Sequence, residues 1–307
     1  MIEKYKEINK SFRPTLVYNL GSEAGFFSEF NNMILAMLYC LNNRIKFVLY
    51  SSNKNFFPNE GWTDYFISFC DEVSSKKHST YNFRQLYSKK STLFRFKTAL
   101  FKLQNNIDYL TYELWPYFHC KDFENTFFNI PRLGIIGDIR IASAALINMV
   151  WKFTPKIFDE IELITKTLNL PNYYVGIQIR GGDKKNESNL IHPYKYIDLL
   201  SNLSSCINYF ILTDDYSIFK NVKDKYVDYN FYTLCESSEK GYFHTHFSSM
   251  DIDSKRKLLV KLFASINILV KADFNVCTYS SNPGMFLGMV LSDSKIISLE
   301  PKEWTIW

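Results

Sequence analysis

The 307-residue sequence predicts an α/β protein built as two Rossmann-like lobes facing each other across a cleft. Three observations carry that expectation. The length favours two domains, at ~100–200 residues each. β-branched apolar runs alternate with helix-period segments, which is the rhythm of βαβ units and parallel sheets. The alternation comes in two blocks, separated by a mostly helical, aromatic stretch and a break at "NLPNYY". The expected division is residues 1–170, an α/β lobe with a helical insert, and 171–307, a second Rossmann-like lobe.

In the first block "TLVYNL" (15–20) reads as a strand, and the loop "GSEAGFF" leads to Ser28, the expected N-cap of the helix "EFNNMILAMLYCLNN". "RIKFVLY" follows as a second strand and completes one βαβ unit. From about 60 to 170 the pattern is helical and aromatic, ending in "SAALINMVWKF" and "IFDEIELITKTL". In the second block strand 173–180 is followed by a long loop, a helix from about 193, the strand "NYFILT", the helix "SIFKNVKDKY" and the strand "NFYTL". A loop near 236–250, a long helix over 254–271, the strand "FNVCTY", the helix "MFLGMVL" and the strand "KIISL" complete it.

A net charge of +5, with lysines spread along the chain, argues against a nucleic-acid footprint and fits a small anionic ligand. The 27 Phe and 21 Tyr point to an aromatic core. Cys40, Cys70, Cys120, Cys206, Cys235 and Cys277 have no zinc-ligand spacing and read as reduced thiols. The amino terminus is charged and unlike a secretory signal, and no apolar run approaches the ~20 residues of a membrane span. A cytoplasmic protein without a transmembrane segment is expected; oligomeric state is silent.

Ligands of open α/β sheets bind beyond the carboxyl ends of the strands. Three strands of the second block end in polar clusters: "IQIR" (with Gln178) runs into Arg180-Gly181-Gly182-Asp183-Lys184, "FILT" into Asp214-Asp215, and "NVCTY" into Ser280-Ser281-Asn282-Pro283-Gly284. Arg180 supplies a planar fork for phosphate, and two glycines let the backbone approach a ligand and offer amide hydrogens to an anion. An ordinary strand-ending turn would look the same. The third cluster combines an N-cap, a helix-start proline and a helix amino terminus, which suits either capping or an anion. The adjacent aspartates suit a helix start, or one of them could orient Arg180 or a sugar hydroxyl.

"MDIDS" (Asp251, Asp253) invites a metal-dependent reading, but it precedes a helix, and Asp253 or Ser254 as an N-cap explains it better. "FHTHF" (His244, His246) lacks a nearby third ligand and reads as a loop. No metal or other cofactor is expected. "YLTYELWPYF" (109–118) suits helix packing more than glycan stacking.

The segments "VGIQIRGGDKKNESNLIHP", "YFILTDDYSIFKNVKDKY" and "KADFNVCTYSSNPG", in collinear order, resemble the α-1,6-fucosyltransferases, within the superfamily that includes protein O-fucosyltransferases. "GSEAGFFSEFNN…NEGWTDYF" is similar to that family's glycine loop, polar helix and Gly-Trp segment. The resemblance covers about 19–75 and 173–290 and leaves the helical middle unmatched.

It implies a GT-B fold and inverting, metal-independent transfer of fucose from GDP-fucose to a glycan hydroxyl. The amino-terminal lobe would take the acceptor and the carboxy-terminal lobe would hold the nucleotide sugar. Arg180 would match the arginine gripping the β-phosphate, Asp183 and Lys184 the polar pair after it, Asp214 and Asp215 the acidic pair, and Ser281 a serine near the diphosphate, with Ser280 beside it. Gly25 falls on the glycine loop beside the donor. The family's histidine is replaced by Gln178, its second arginine by Gly181 and a base-reading acid by Ser265. Its catalytic glutamate aligns with Ser188, next to Glu187. Glu187 is the first candidate for general base; Glu23 and Glu29 come next. Transfer from another nucleotide sugar, or a binding protein without turnover, are the alternatives.

Overall fold

In a computed structural model the protein is described over residues 1–21, 24–52, 55–86, 90–182, 191–203, 205–300 and 304. It forms two compact units, Met1–Thr154 and Pro155–Trp307.

The first unit opens with α1 (Ile2–Ser11). The Asn9 side chain donates to the Phe47 carbonyl and accepts from its N–H, both at 2.7 Å, and so ties α1 to the sheet. β1 (Thr15–Asn19), α2 (Phe26–Asn42) and β2 (Lys46–Tyr50) form the expected βαβ unit, with Thr15 opposite Lys46 in a parallel ladder. α2 starts earlier than Ser28: Gly25 is its N-cap, because Phe26 and Phe27 turn into the core.

The middle stretch contains α3 (His78–Tyr81), α4 (Thr92–Gln104), β3 (Tyr109–Leu110), α5 (Thr111–Phe118) and α6 (Lys121–Glu124). An antiparallel ribbon of β4 (Phe128–Ile130) and β5 (Ile135–Gly137) then leads to α7 (Ile139–Val150). β3 pairs parallel with β1 and completes a sheet of order β2-β1-β3. These strands of two or three residues are too short for a period to show in sequence, which is why the region read as helical. "YLTYELWPYF" is helix packing: Leu114, Trp115 and Phe118 are buried.

The aromatic richness has a definite seat. Phe26, Phe30, Trp62, Phe66 and Trp151 form one cluster, with the Trp62 and Phe66 rings stacked at 4.2 Å. Each buried ring of this size contributes roughly 2–3 kcal/mol.

The second unit starts with α8 (Pro155–Lys166), ahead of the break expected near 170. α8 packs on α12 (Ile252–Lys271), and Glu160 takes Arg256 on both oxygens at 2.6 and 2.7 Å. Its strands β6 (Val175–Ile179), β7 (Asn208–Thr213), β8 (Asn230–Tyr232), β9 (Phe274–Cys277) and β10 (Ile296–Ser298) form one parallel sheet of order β10-β9-β6-β7-β8. α9 (Tyr194–Leu203), α10 (Tyr216–Lys225), α11 (His244–Ser249) and α13 (Asn282–Val290) lie between them in sequence. β6 is central and buried along its whole length, as its apolar run requires. The chain moves outward from β6 through β7 to β8, then returns to β6's other side with β9. That reversal puts the topological switch point at the carboxyl end of β6.

Candidate active site

Arg180 follows the last residue of β6 and stands at this switch point. Its guanidinium donates to the Asp214 carboxylate, from the exit of β7, and lies 5.2 Å from the Tyr242 ring centroid. Asp214 gathers further donors: the Gly181 N–H at 2.6 Å and the Tyr242 N–H at 2.9 Å. One carboxylate thus binds together the exits of β6 and β7 and the loop after β8. Such charge-assisted bonds are roughly twice as strong as neutral ones.

The glycines serve a different approach from the one expected. The Gly181 amide is already given to Asp214, and Gly182, at φ +50°, meets the backbone of Tyr242 where a Cβ would stand. Gly241, at φ +108°, would place its own Cβ 2.5 Å from the Gly182 Cα. The close contact these residues permit is between two loops of the chain, and a side chain at either position would force them apart.

The aspartate pair divides. Asp215 is the N-cap of α10 and accepts from the Ser217 N–H at 3.0 Å and hydroxyl at 2.6 Å. Asp214 is the member that meets Arg180.

At the exit of β9, Ser281 caps α13, accepting from the Gly284 N–H at 3.2 Å. Its hydroxyl proton is shared between Gln178 Oε1 at 2.9 Å and the Thr278 carbonyl at 3.0 Å. Gln178 and Ser281 are both buried, so this pair fastens the third strand exit to β6 from beneath. Ser280 is exposed, its N–H donating to Glu300 at 2.8 Å.

Ser265 is not brought to this edge as an accessible group. It is 3% exposed inside α12, and its hydroxyl bonds back to the Lys261 carbonyl. Asp183, Lys184, Glu187 and Ser188 lie outside the described residues, as does Glu23.

In the first unit Gly25 caps α2, and Glu29 is fully buried. Its carboxylate takes the Gly21 N–H at 3.2 Å and Arg84 at 3.5 Å. Arg84 also stacks over Trp115 at 4.5 Å. Glu29 therefore anchors the glycine loop.

The residues missed in sequence are Gly241 and Tyr242, which wall Arg180. The signal was present in "KGYFH", a glycine beside an aromatic residue after a strand, but nothing local tells which strand exit such a loop will meet. His244 belongs to the same corner, with Nδ1 3.0 Å from the Tyr242 hydroxyl. Cys235 lies nearby, its thiol pushed up to about 12 by burial and then by Glu239. All six cysteines are free.

Asp251, rather than Asp253 or Ser254, is the N-cap of α12, accepting from the Ser254 N–H at 2.9 Å. Among the described residues no group of three or more His, Cys, Asp or Glu could hold a metal ion. No helix among them is long and apolar enough to cross a membrane.

Residues 11–283 match the family model for alpha-(1,6)-fucosyltransferase N- and catalytic domains. The match runs through the middle stretch that the motif resemblance left out. Among solved structures the chain is similar to a NodZ alpha-1,6-fucosyltransferase co-crystallized with GDP, at TM-score 0.50 and 10% identity, covering 89% of this chain and 91% of that one. A NodZ alpha-1,6-fucosyltransferase soaked with GDP-fucose gives 0.50 and 11%, covering 90% and 92%. A mutant of Arabidopsis thaliana FUT1 in complex with GDP gives 0.53 and 12%, covering 98% and 75%. At these identities the likeness is one of fold, the α/β fold of GT-B type.

Proposed function

The chain belongs to the alpha-(1,6)-fucosyltransferase family, and from that premise we propose that it transfers fucose from GDP-fucose to a glycan hydroxyl, with inversion and without a metal ion. The single observation that carries the reading is Arg180 at the switch point of the parallel sheet, with its guanidinium oriented by Asp214 and Tyr242. The solved structures of similar fold were co-crystallized with GDP or soaked with GDP-fucose, which supports the choice of donor.

In this reading the bond between the sugar carbon and the β-phosphate oxygen breaks while the acceptor hydroxyl attacks from the opposite face. Negative charge grows on the leaving diphosphate, and Arg180 meets it. A cation already held in place costs no reorganisation as the charge develops, so it lowers the barrier more than it aids binding. The α13 amino terminus, capped by Ser281, adds the positive end of a helix dipole at the same sheet edge. Glu187 takes the acceptor proton, and Asp183 and Lys184 take the roles of the polar pair that follows the family's arginine. Gly25 and the glycine loop belong to the acceptor-side lobe.

The deciding experiment follows GDP release from GDP-fucose with oligosaccharide acceptors. Arg180→Ala should lower kcat by about 10²–10³-fold, and turnover close to wild type would end the assignment. Glu187→Gln should abolish transfer, whereas full activity would remove the glutamate from the role. Activity should survive a chelator; loss restored by manganese would overturn metal independence.

The burial of Ser265 and the engagement of the Gly181 amide favour a second reading, a nucleotide-sugar-binding protein whose base preference is open. Such a protein would be stabilised by a nucleotide sugar without releasing nucleotide, and a thermal-shift panel of GDP- and UDP-sugars reads this directly.

A further inference from the structure

Lysines run along the whole chain, but the carboxylates leave one long gap. Between Glu72 and Asp108 lie eight Lys or Arg residues and no carboxylate, more positive charge than the net +5 of the whole sequence. α4 lies inside this segment and carries Arg95, Lys97 and Lys102 without an acidic residue.

The same helix shows an apolar stripe on its outer face. α4 turns Thr98 and Phe101 into the core, while Leu93 is 61%, Phe96 68%, Leu100 44% and Leu103 77% exposed. The spacing i, i+3, i+7, i+10 places these four on one face at 3.6 residues per turn, roughly opposite the buried one. Lys97 falls along one edge of the stripe; Arg95 and Lys102 fall along the other. Globular proteins rarely leave a contiguous row of large apolar side chains in water without a use for it.

Beside the stripe lies a cavity of about 420 Å³, lined among others by Lys90, Phe94, Arg95, Lys102 and Tyr112. Lys102 is partly neutralised by Glu113 at 2.8 Å, and Lys90 sits 5.1 Å from the Phe83 ring centroid. Arg95 is exposed.

We infer that α4 docks the protein on an anionic lipid surface: Leu93, Phe96, Leu100 and Leu103 enter the boundary between headgroups and acyl chains, while Lys90, Arg95 and Lys97 meet the phosphates. A peptide groove would satisfy the leucines but gives no reason for cations along both edges with no acid between them. A bilayer leaflet satisfies both at once, since apolar area and attraction to anionic lipid add in interfacial helices. The inference stands apart from the transferase reading, because it uses no residue of the Arg180 site.

The test is flotation of the full chain with vesicles of phosphatidylcholine containing about 30 mol % phosphatidylglycerol, against phosphatidylcholine alone. Binding to the anionic vesicles is expected, weakened in about 0.5 M salt. Lys97→Gln and Arg95→Gln should each reduce the partition coefficient by about fivefold. The double variant Leu100→Gln, Leu103→Gln should lose tenfold or more, with its thermal melt unchanged because both side chains are exposed. Absence of binding to anionic vesicles would overturn the proposal, as would binding that the double leucine variant leaves intact. So would a dimer in sedimentation that the same variant dissolves, because a second copy would then be what covers the stripe.

Discussion

Arg180 brings a positive charge to the sheet edge and meets the Asp214 carboxylate there. In the proposed reading a diphosphate competes with Asp214 for the same guanidinium, or shares it. The geometry suits sharing, because Asp214 also holds the Gly181 and Tyr242 N–H groups and is not free to leave. The neighbouring acids should therefore separate by experiment. Asp214→Ala is expected to reduce turnover at least tenfold by releasing Arg180. Asp215→Ala removes the cap of α10, costing about 1 kcal/mol of stability and leaving turnover near wild type; kinetics and thermal melts on the pair check both. A buried histidine gives a second prediction. His78 lies against Tyr50 and Phe101, and burial pushes its pKa down to about 4. The unfolded chain takes up a proton near the ordinary value, ~6.5, while the folded chain does not, so this residue's contribution is complete above 6.5 and is lost as pH falls toward 4. Glu72 and His119 also titrate with shifts, Glu72 raised and His119 lowered chiefly by burial, so the difference between two proteins is the proper measure. Melting temperatures followed from pH 7 to pH 4 should drop less for His78→Phe than for wild type; equal slopes would show that His78 is not responsible.

Elements meet at this corner through loops whose shapes are set by single positions. The exit of β6 and the loop after β8 touch through Gly182 and Gly241, both at positive φ. Gly182→Ala is expected to cost more than the roughly 1–2 kcal/mol of a left-handed alanine, because its methyl group also meets the Tyr242 backbone. Urea unfolding gives the stability loss, and GDP affinity should fall with it as Tyr242 leaves Arg180. At the third exit, Ser281→Ala removes a helix cap and the buried partner of Gln178 together. A loss of about 2 kcal/mol is expected, roughly 1 from the cap and the remainder from an acceptor left unpaired. A change of a few tenths would mean that Gln178 finds another donor. Both effects belong to helices and loops, since each acts through contacts the chain makes with itself.

At the scale of the whole molecule, the division of the chain decides which pieces can fold. α8 buries Ile157 and Ile161 and ties Glu160 to Arg256 and Glu162 to Lys271 on α12. A fragment beginning at Pro155 should therefore unfold cooperatively, whereas one beginning at residue 171 exposes that face of α12 and should unfold broadly and bind apolar dyes. Differential scanning calorimetry distinguishes them, and equal cooperativity would place α8 outside the second unit's core. GDP at about a hundred times its dissociation constant should stabilise the Pro155 fragment by roughly 2.7 kcal/mol if the nucleotide site is complete within it.

The alternating strands and helices of the second unit, and the polar residues ending β6, β7 and β9, were determined by the sequence alone. Burial on both faces demands unbroken apolar runs, and parallel pairing sends all carboxyl ends to one edge. Arg180, Asp214 and Ser281 were legible for that reason. Only the tertiary structure decided which aspartate meets the arginine, that the glycines admit the loop at 241–242, that Ser265 is sealed in a helix and that the first unit gains β3 at its edge. Those outcomes depend on contacts between residues far apart in the chain, where a ladder of two residues or a single close approach has no periodicity to announce it.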